Sequence, residues 1–203
     1  MRITMSPLAT IDRIYALLQS IIPSEGPDDY GTLATASADG LSSCRSVVLR
    51  GFDPAQHQIW INTNVHTNKV NHLRHNPDAE VCLWLVRRKI QLRLRAEWRV
   101  IDAALTARMP NLAALRCQAW DQQPAYAKRM YAWPKPGKSI ARRISTKSLD
   151  EAASHLGEAP PQEFAVLLGT LYHIDALRLV RPIHERYVHT RPRNTWQSER
   201  LTP

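Results

Sequence analysis

The sequence predicts a mainly β fold with flanking helices (α+β), and three observations carry that reading. Residues 89–100 alternate without a break: Ile90, Leu92, Leu94, Ala96 and Trp98 share one face, and Gln91, Arg93, Arg95, Glu97 and Arg99 the other. Period two sustained over so many positions marks a half-buried strand. Within residues 31–52, two runs of small and β-branched residues flank Ala38-Asp39-Gly40, and Asp-Gly is a strong hairpin signal. The segments between successive strands are also too short for a parallel α/β sheet, which needs a long crossover after nearly every strand. Strands first, then helices, then more strands therefore predict one β-barrel domain over residues 1–203 with helices on its ends and flank.

The elements follow in order. Ser6-Pro7 looks like a helix start, and Leu8, Ile11, Ile14, Tyr15, Leu18 and Ile22 recur at helical spacing up to Pro23. A barrel core over 31–100 begins with the hairpin. It continues through Asp53-Pro54 as a turn and residues 58–63 as a strand. Thr67 is placed to cap a short helix that ends at Asn76-Pro77. Residues 79–86 are apolar enough for a central strand. Asp102 opens a helical segment, 102–157, broken at Pro110. In it the proline-rich 133–139 must be loop, and Ser148 with Glu151 forms a capping box. The C-terminal part, 163–203, reads as strands over 164–168 and 172–180, then a closing pair over 184–189 and 195–201. Trp60, Trp84, Trp98 and Trp120 follow the apolar periodicity and are read as packing.

Composition narrows the partners. A net charge of +9 favours anions, yet the basic residues alternate along strands instead of forming a tract. That pattern suits solvated sheet faces and a pocket better than a nucleic-acid arm. The cysteines, Cys44, Cys82 and Cys117, lack metal-ligand spacing and read as reduced thiols; no metal site is predicted. With no apolar run of signal-peptide or membrane-spanning length, the expectation is a cytoplasmic chain.

Several groups can converge on one anion. Arg45 and Arg50 bracket Val47-Val48-Leu49, and an arginine with five donors needs water, a carboxylate or a bound anion. Thr63 ends the next strand, and Thr67 and Lys69 stand at a helix start, where free backbone N–H groups and the dipole favour phosphate. Arg45 and Arg50 lie an odd number of positions apart, so an ideal strand would point them to opposite faces. For both to meet one ligand the strand must bulge or end before Arg50, and Gly51 favours the second.

The run from Arg45 to Phe52 resembles the flavin-phosphate strand of the pyridoxamine 5'-phosphate oxidase family. So does Asn62-Thr63-Asn64-Val65-His66-Thr67-Asn68-Lys69 before its helix, the strand headed by Gln91, and the ending Trp196 with Glu199-Arg200-Leu201-Thr202-Pro203. The resemblance implies an FMN-binding split β-barrel that forms a homodimer with two flavin sites at the interface. It implies FMN phosphate binding by Arg45, Thr67 and Lys69, with Ser46 and Asn68 beside them. Val47, Val48, Asn62 and Thr63 would line the flavin, Arg50 would lie by the ring or substrate, and Gln91 would reach the ring. Lys138, Ser139 and Arg186 would come from the partner subunit, and His184 would stand on the substrate side.

The departures count as well. Asn68 stands where the family has a phosphate-site arginine, and Pro182 where the oxidase has its first substrate arginine. The 133–137 loop is more similar to an oxidase-like FMN-binding subfamily than to the true oxidase. The resemblance thus implies an FMN-dependent oxidoreductase passing hydride from a small-molecule substrate to flavin N5. Two other readings stay open: a non-catalytic flavin or tetrapyrrole binder on the same barrel, and a basic barrel for single-stranded nucleic acid. The last would need an exposed aromatic strip, which the apolar setting of the tryptophans does not offer.

Overall fold

The computed structural model describes residues 6–22, 30–139 and 145–203. Its centre is an antiparallel sheet: β1 (Tyr30–Ala36), β2 (Ser42–Val48), β3 (Gly51–Asp53), β4 (Gln58–Asn64), β5 (Asp78–Leu85), β6 (Ile90–Ile101) and β7 (Phe164–Arg178). Their spatial order is β2-β1-β5-β6-β7-β4-β3, and β8 (Glu185–Thr190) and β9 (Gln197–Leu201) extend from β7. The predicted mainly β fold with flanking helices is the observed one. The hairpin turns where expected, with Gly40 at φ 82° and its N–H donating to the Ser37 carbonyl at 2.9 Å.

One topological fact shapes the rest. β2 and β3 are separated by only Leu49 and Arg50, yet they lie at opposite ends of that strand order. The sheet therefore curls until its two ends meet, and the chain steps across the gap at Leu49-Arg50. Among the described residues β2 pairs only with β1, and residues 61–64 of β4 pair only with β7. Both edges consequently face the gap with backbone donors and acceptors that no strand takes. The barrel interior is filled by the inward faces of these strands, among them Leu33, Ile59, Ile61, Val81, Leu92 and Leu94. Helix α1 (Ile11–Ile21) closes one side of it with Ile14, Leu17 and Leu18.

Several boundaries differ from the sequence reading, each for a local reason. α1 begins after Thr10 because Ser6 is spent on a turn: its hydroxyl accepts from Leu8 N–H at 3.2 Å and donates to Glu185 at 2.8 Å. The two strands expected over 164–168 and 172–180 are one strand. Gly169 does not break it, because Trp98 lies flat on that position, 3.0 Å from where a Cβ would stand. The closing strands start one and two residues later than expected. Trp84 is 43% exposed instead of packed, since its strand faces outward there opposite Gln91.

The helical segment holds α3 (Ala103–Arg108), α4 (Ala113–Asp121), α5 (Ala125–Arg129) and α6 (Thr146–Ser154), with 3₁₀ turns at Pro110–Leu112 and Met130–Ala132. Asp102 caps α3 through Leu105 N–H at 2.7 Å. The cap of α6 is Ser145, accepting from Ser148 N–H at 3.1 Å, so Ser148 lies inside the helix and the Ser148–Glu151 capping box does not form. Trp120, Tyr131 and Phe164 meet edge to face and seat this segment on β4 and β7. Among the described residues no helix is long and apolar enough to cross a membrane.

Candidate functional site

The gap between β2 and β4 opens into a cavity of about 510 Å³. Ser46, Val47 and Val48 line it from β2, and Ile61, Asn62, Thr63 and Asn64 from β4. Thr67 and Lys69 close one part, and a second hollow of about 300 Å³ shares them with Ser43, Arg45 and Asn68. Among the described residues no Asp or Glu lines either space.

Two cations stand at this second hollow. Arg45 donates to Thr35 Oγ1 and Ser43 Oγ, both at 2.7 Å, and to the Leu33 carbonyl at 3.2 Å. Lys69 Nζ donates to Thr63 Oγ1 at 3.1 Å. All these acceptors are neutral, and among the described residues neither cation has an ion pair. Burial, and then the field of Arg45, lowers the Lys69 pKa from 10.5 to about 8; burial lowers Arg45 as well. Two partly buried cations of like sign without a carboxylate destabilise each other, and an anion between them would reverse that.

The start of α2 (Asn68–His75) strengthens the case. Thr67 occupies the cap position, but its hydroxyl donates back to the Asn64 carbonyl at 2.9 Å and caps no N–H of the helix. The positive end of the helix is thus left to whatever sits beside Lys69. Asn62 adds an orphan: its Nδ2 donates to the Ala119 carbonyl at 3.2 Å, while its buried Oδ1 has no partner among the described residues.

Arg50 follows the expectation that β2 ends before it. β2 stops at Val48, Arg50 N–H donates to the Trp60 carbonyl at 2.8 Å, and β3 starts at Gly51. A Cβ on Gly51 would lie 1.7 Å from Trp60 Cζ2, so the crossing requires glycine. The Arg50 side chain reaches the cavity and makes no hydrogen bond or ion pair with any described residue.

The roof of the cavity is what the sequence left unread. Gln123, Tyr126, Met130, Tyr131 and Trp133 come down from α5 and its neighbours. These helices are too short for an apolar stripe to show in the sequence. The Tyr131 pKa is raised strongly by burial, against a hydrogen bond with Gln123 and the charge of Arg50.

The structure thus brings Arg45, Ser46, Val47, Val48, Arg50, Asn62, Thr63, Thr67, Asn68 and Lys69 to this pair of hollows. Gln91, Arg186 and His184 do not reach them within one chain. Gln91 lies on the outer face of the sheet, opposite Leu177, which in turn faces Arg186. Arg186 and Arg93 both donate to the buried Asp175; burial alone would raise its pKa, but these donors hold it below the ordinary range. His184 lies in the turn before β8, Nδ1 3.0 Å from the Val180 carbonyl. Lys138 and Ser139 are exposed after the 133–137 loop.

The family described as pyridoxamine 5'-phosphate oxidase, FMN-binding domain, matches residues 15–102, which contain the two edges and the cations. A pyridoxine/pyridoxamine 5'-phosphate oxidase 2 of Arabidopsis thaliana is 28% identical over 86% of this chain and 87% of its own. A pyridoxine/pyridoxamine 5'-phosphate oxidase of Psychrobacter is 24% identical over 92% of this chain and 86% of its own. A pyridoxamine 5'-phosphate oxidase-related, FMN-binding protein of Nostoc punctiforme shares the fold at TM-score 0.81 and 23% identity, covering 99% of this chain and 100% of that one. PhzG of Burkholderia lata shares it at TM-score 0.69 and 15% identity, covering 100% and 95%. What the chain shares is thus a match to that family's FMN-binding domain over residues 15–102 and, with these solved structures, the split-barrel fold.

Proposed function

We propose that the chain binds FMN in the gap between β2 and β4 and serves as an FMN-dependent oxidoreductase for a small reduced substrate. The observation that carries this reading is the convergence of Arg45 and Lys69, with no carboxylate among the described residues beside them, on a helix start whose Thr67 caps no N–H. Those two cations, with Thr67 and the first N–H groups of α2, would hold the phosphate. The open edges of β2 and β4, with Asn62, present amide donors and acceptors to the heteroatoms of a flat ring, and Val47 and Val48 give it an apolar bed. When bound, FMN supplies two-electron acceptance at N5, with dioxygen or another acceptor taking the electrons onward. The chain's part is to bind, orient and shield; a fixed cation near the ring, the place of Arg50, favours the reduced flavin.

The proposal includes a homodimer, because Gln91, Lys138, Ser139, His184 and Arg186 do not reach the chain's own cavity. The outer sheet face that carries Gln91 also exposes Tyr30, Trp84 and Tyr172, a surface suited to a second copy. In that arrangement the partner supplies the missing side of each flavin.

The absorbance spectrum of the purified protein tests the cofactor: oxidised-flavin bands that leave with the small-molecule fraction on denaturation are expected, and a colourless protein that refuses added FMN sinks the reading. Arg45→Gln and Lys69→Met should each weaken FMN by about ten- to a hundredfold, the worth of a charge-assisted hydrogen bond. Anaerobic reduction of the bound flavin by candidate donors separates an enzyme from a flavin carrier.

A further inference from the structure

The layer behind Arg45 holds side chains that the flavin reading leaves unused. Thr35 on β1 and Ser43 on β2 are direct cross-strand partners, and Arg45 lies two residues from Ser43 on the same face. The guanidinium thus spends three of its five N–H donors within the chain, on Thr35 Oγ1, Ser43 Oγ and the Leu33 carbonyl. Its Nε–H and one hydrogen of Nη2 are left for a ligand. Thr35 is only 4% exposed, and among the described residues its hydroxyl has one further contact, His72 Nδ1 at 2.9 Å.

We infer that Thr35 and His72 are positioning residues for the anion held by Arg45 and Lys69; the inference rests on the flavin reading and deepens it by naming what aims the arginine. The direction of each bond follows from the donor count. Arg45 can only donate, so Thr35 Oγ1 accepts from it and keeps its own proton to give elsewhere. Left unpaired at that depth, the hydroxyl proton would be costly. Among the described residues the His72 Nδ1 lone pair is the acceptor within reach, which places the ring proton of a neutral His72 on Nε2. The relay from Arg45 through Thr35 to His72 is then satisfied at every joint, and it runs from β2 across β1 to α2. His72 follows Lys69 by three positions on α2, a spacing that sets the two on one side of the helix. One short helix therefore supplies one cation of the pair directly and braces the other from behind. With the brace cut, Arg45 keeps its charge but is free to turn its two remaining donors away from a phosphate.

The test titrates the full chain with FMN and with riboflavin, which has the same ring without the phosphate. Thr35→Val keeps the shape and removes both hydrogen bonds; it should weaken FMN by about tenfold and leave riboflavin within about threefold. Thr35→Ser, which retains the hydroxyl, should hold FMN within about threefold of the native chain. His72→Leu should weaken FMN by about three- to tenfold, and His72→Asn, with an acceptor near the place of Nδ1, should recover most of that loss. In an Arg45→Gln background Thr35→Val should cost nothing more, since the threonine acts through the arginine. Equal losses for FMN and riboflavin, unchanged FMN affinity in Thr35→Val, or losses that add to those of Arg45→Gln overturn the inference and leave the flavin reading standing. Should Thr35→Val fail to fold, the two His72 variants, at a half-buried helix position, carry the same comparison. A chain that takes neither flavin sinks the flavin reading instead, and inorganic phosphate then serves as the probe. A phosphate-induced rise in the urea midpoint that Thr35→Val abolishes and Thr35→Ser keeps supports the inference; a rise equal in all three chains, or none, overturns it.

Discussion

Lys69 shows how a single side chain reports the state of the site. Its pKa is about 8, against 10.5 in an unfolded chain, through burial first and Arg45 second. Between those two values the folded FMN-free chain binds fewer protons than the unfolded one, so its stability rises with pH across that window. On the proposed reading, FMN would reverse the preference, because a phosphate beside Lys69 favours the charged lysine. Its affinity should fall above about pH 8, by up to roughly tenfold per unit, as binding comes to require proton uptake. Urea midpoints of the FMN-free chain and FMN titrations at about pH 7.5 and about pH 9.5 check both directions, and Lys69→Met should flatten both trends. Arg45, Thr63, Thr67 and Lys69 were legible from the sequence because strand ends and helix starts fix the place of a side chain locally. Gln91 and Arg186 were legible as residue types, but their outer-face position depends on the register of three strands.

At the scale of elements, two contacts govern the cavity walls. The step from β2 to β3 passes Gly51 beneath Trp60, where a Cβ would lie 1.7 Å from Cζ2. Gly51→Ala forces Trp60 aside and should cost about 1–3 kcal/mol, read as a lowered urea midpoint with unchanged slope. The other contact is Arg116 on α4, only 7% exposed, which donates to the Phe164 carbonyl at 3.0 Å and to the carbonyls of Pro160 and Pro161. Arg116→Met strands those acceptors and should destabilise by about 2–3 kcal/mol, with the α4–α5 roof loosening first under limited proteolysis. Neither feature was evident beforehand. Gly51 marks a strand end in the sequence but not its tryptophan neighbour, and a buried arginine held by carbonyls leaves no mark in a periodicity. The long alternation of β6 was the opposite case, since one face meets the core at every second residue. β7 misled because a glycine normally weakens a strand, and here Trp98 fills the space a side chain would take.

For the whole molecule, the strand order could not be derived from the sequence. Hairpins were readable one by one, but nothing local says that β6 and β7, separated by the entire helical segment, pair along twelve positions of β6. The proposed dimer belongs to this scale too. Light scattering should give twice the chain mass, and Trp84→Asp on the exposed face should shift that mass toward a single chain while the circular dichroism spectrum is kept. In the same variant FMN should bind more weakly, because Arg45 and Lys69 remain but the partner's side of the ring is lost.

Sequence neighbours that end up as the two outermost strands have a kinetic consequence. Leu49-Arg50 tethers margins that no ladder hydrogen bonds join, so a molecule seated between them laces the structure where it would otherwise fray. Amide exchange along Ser42–Val48 and along residues 61–64 should therefore slow in concert when FMN is added, while the β6–β7 ladder exchanges as before.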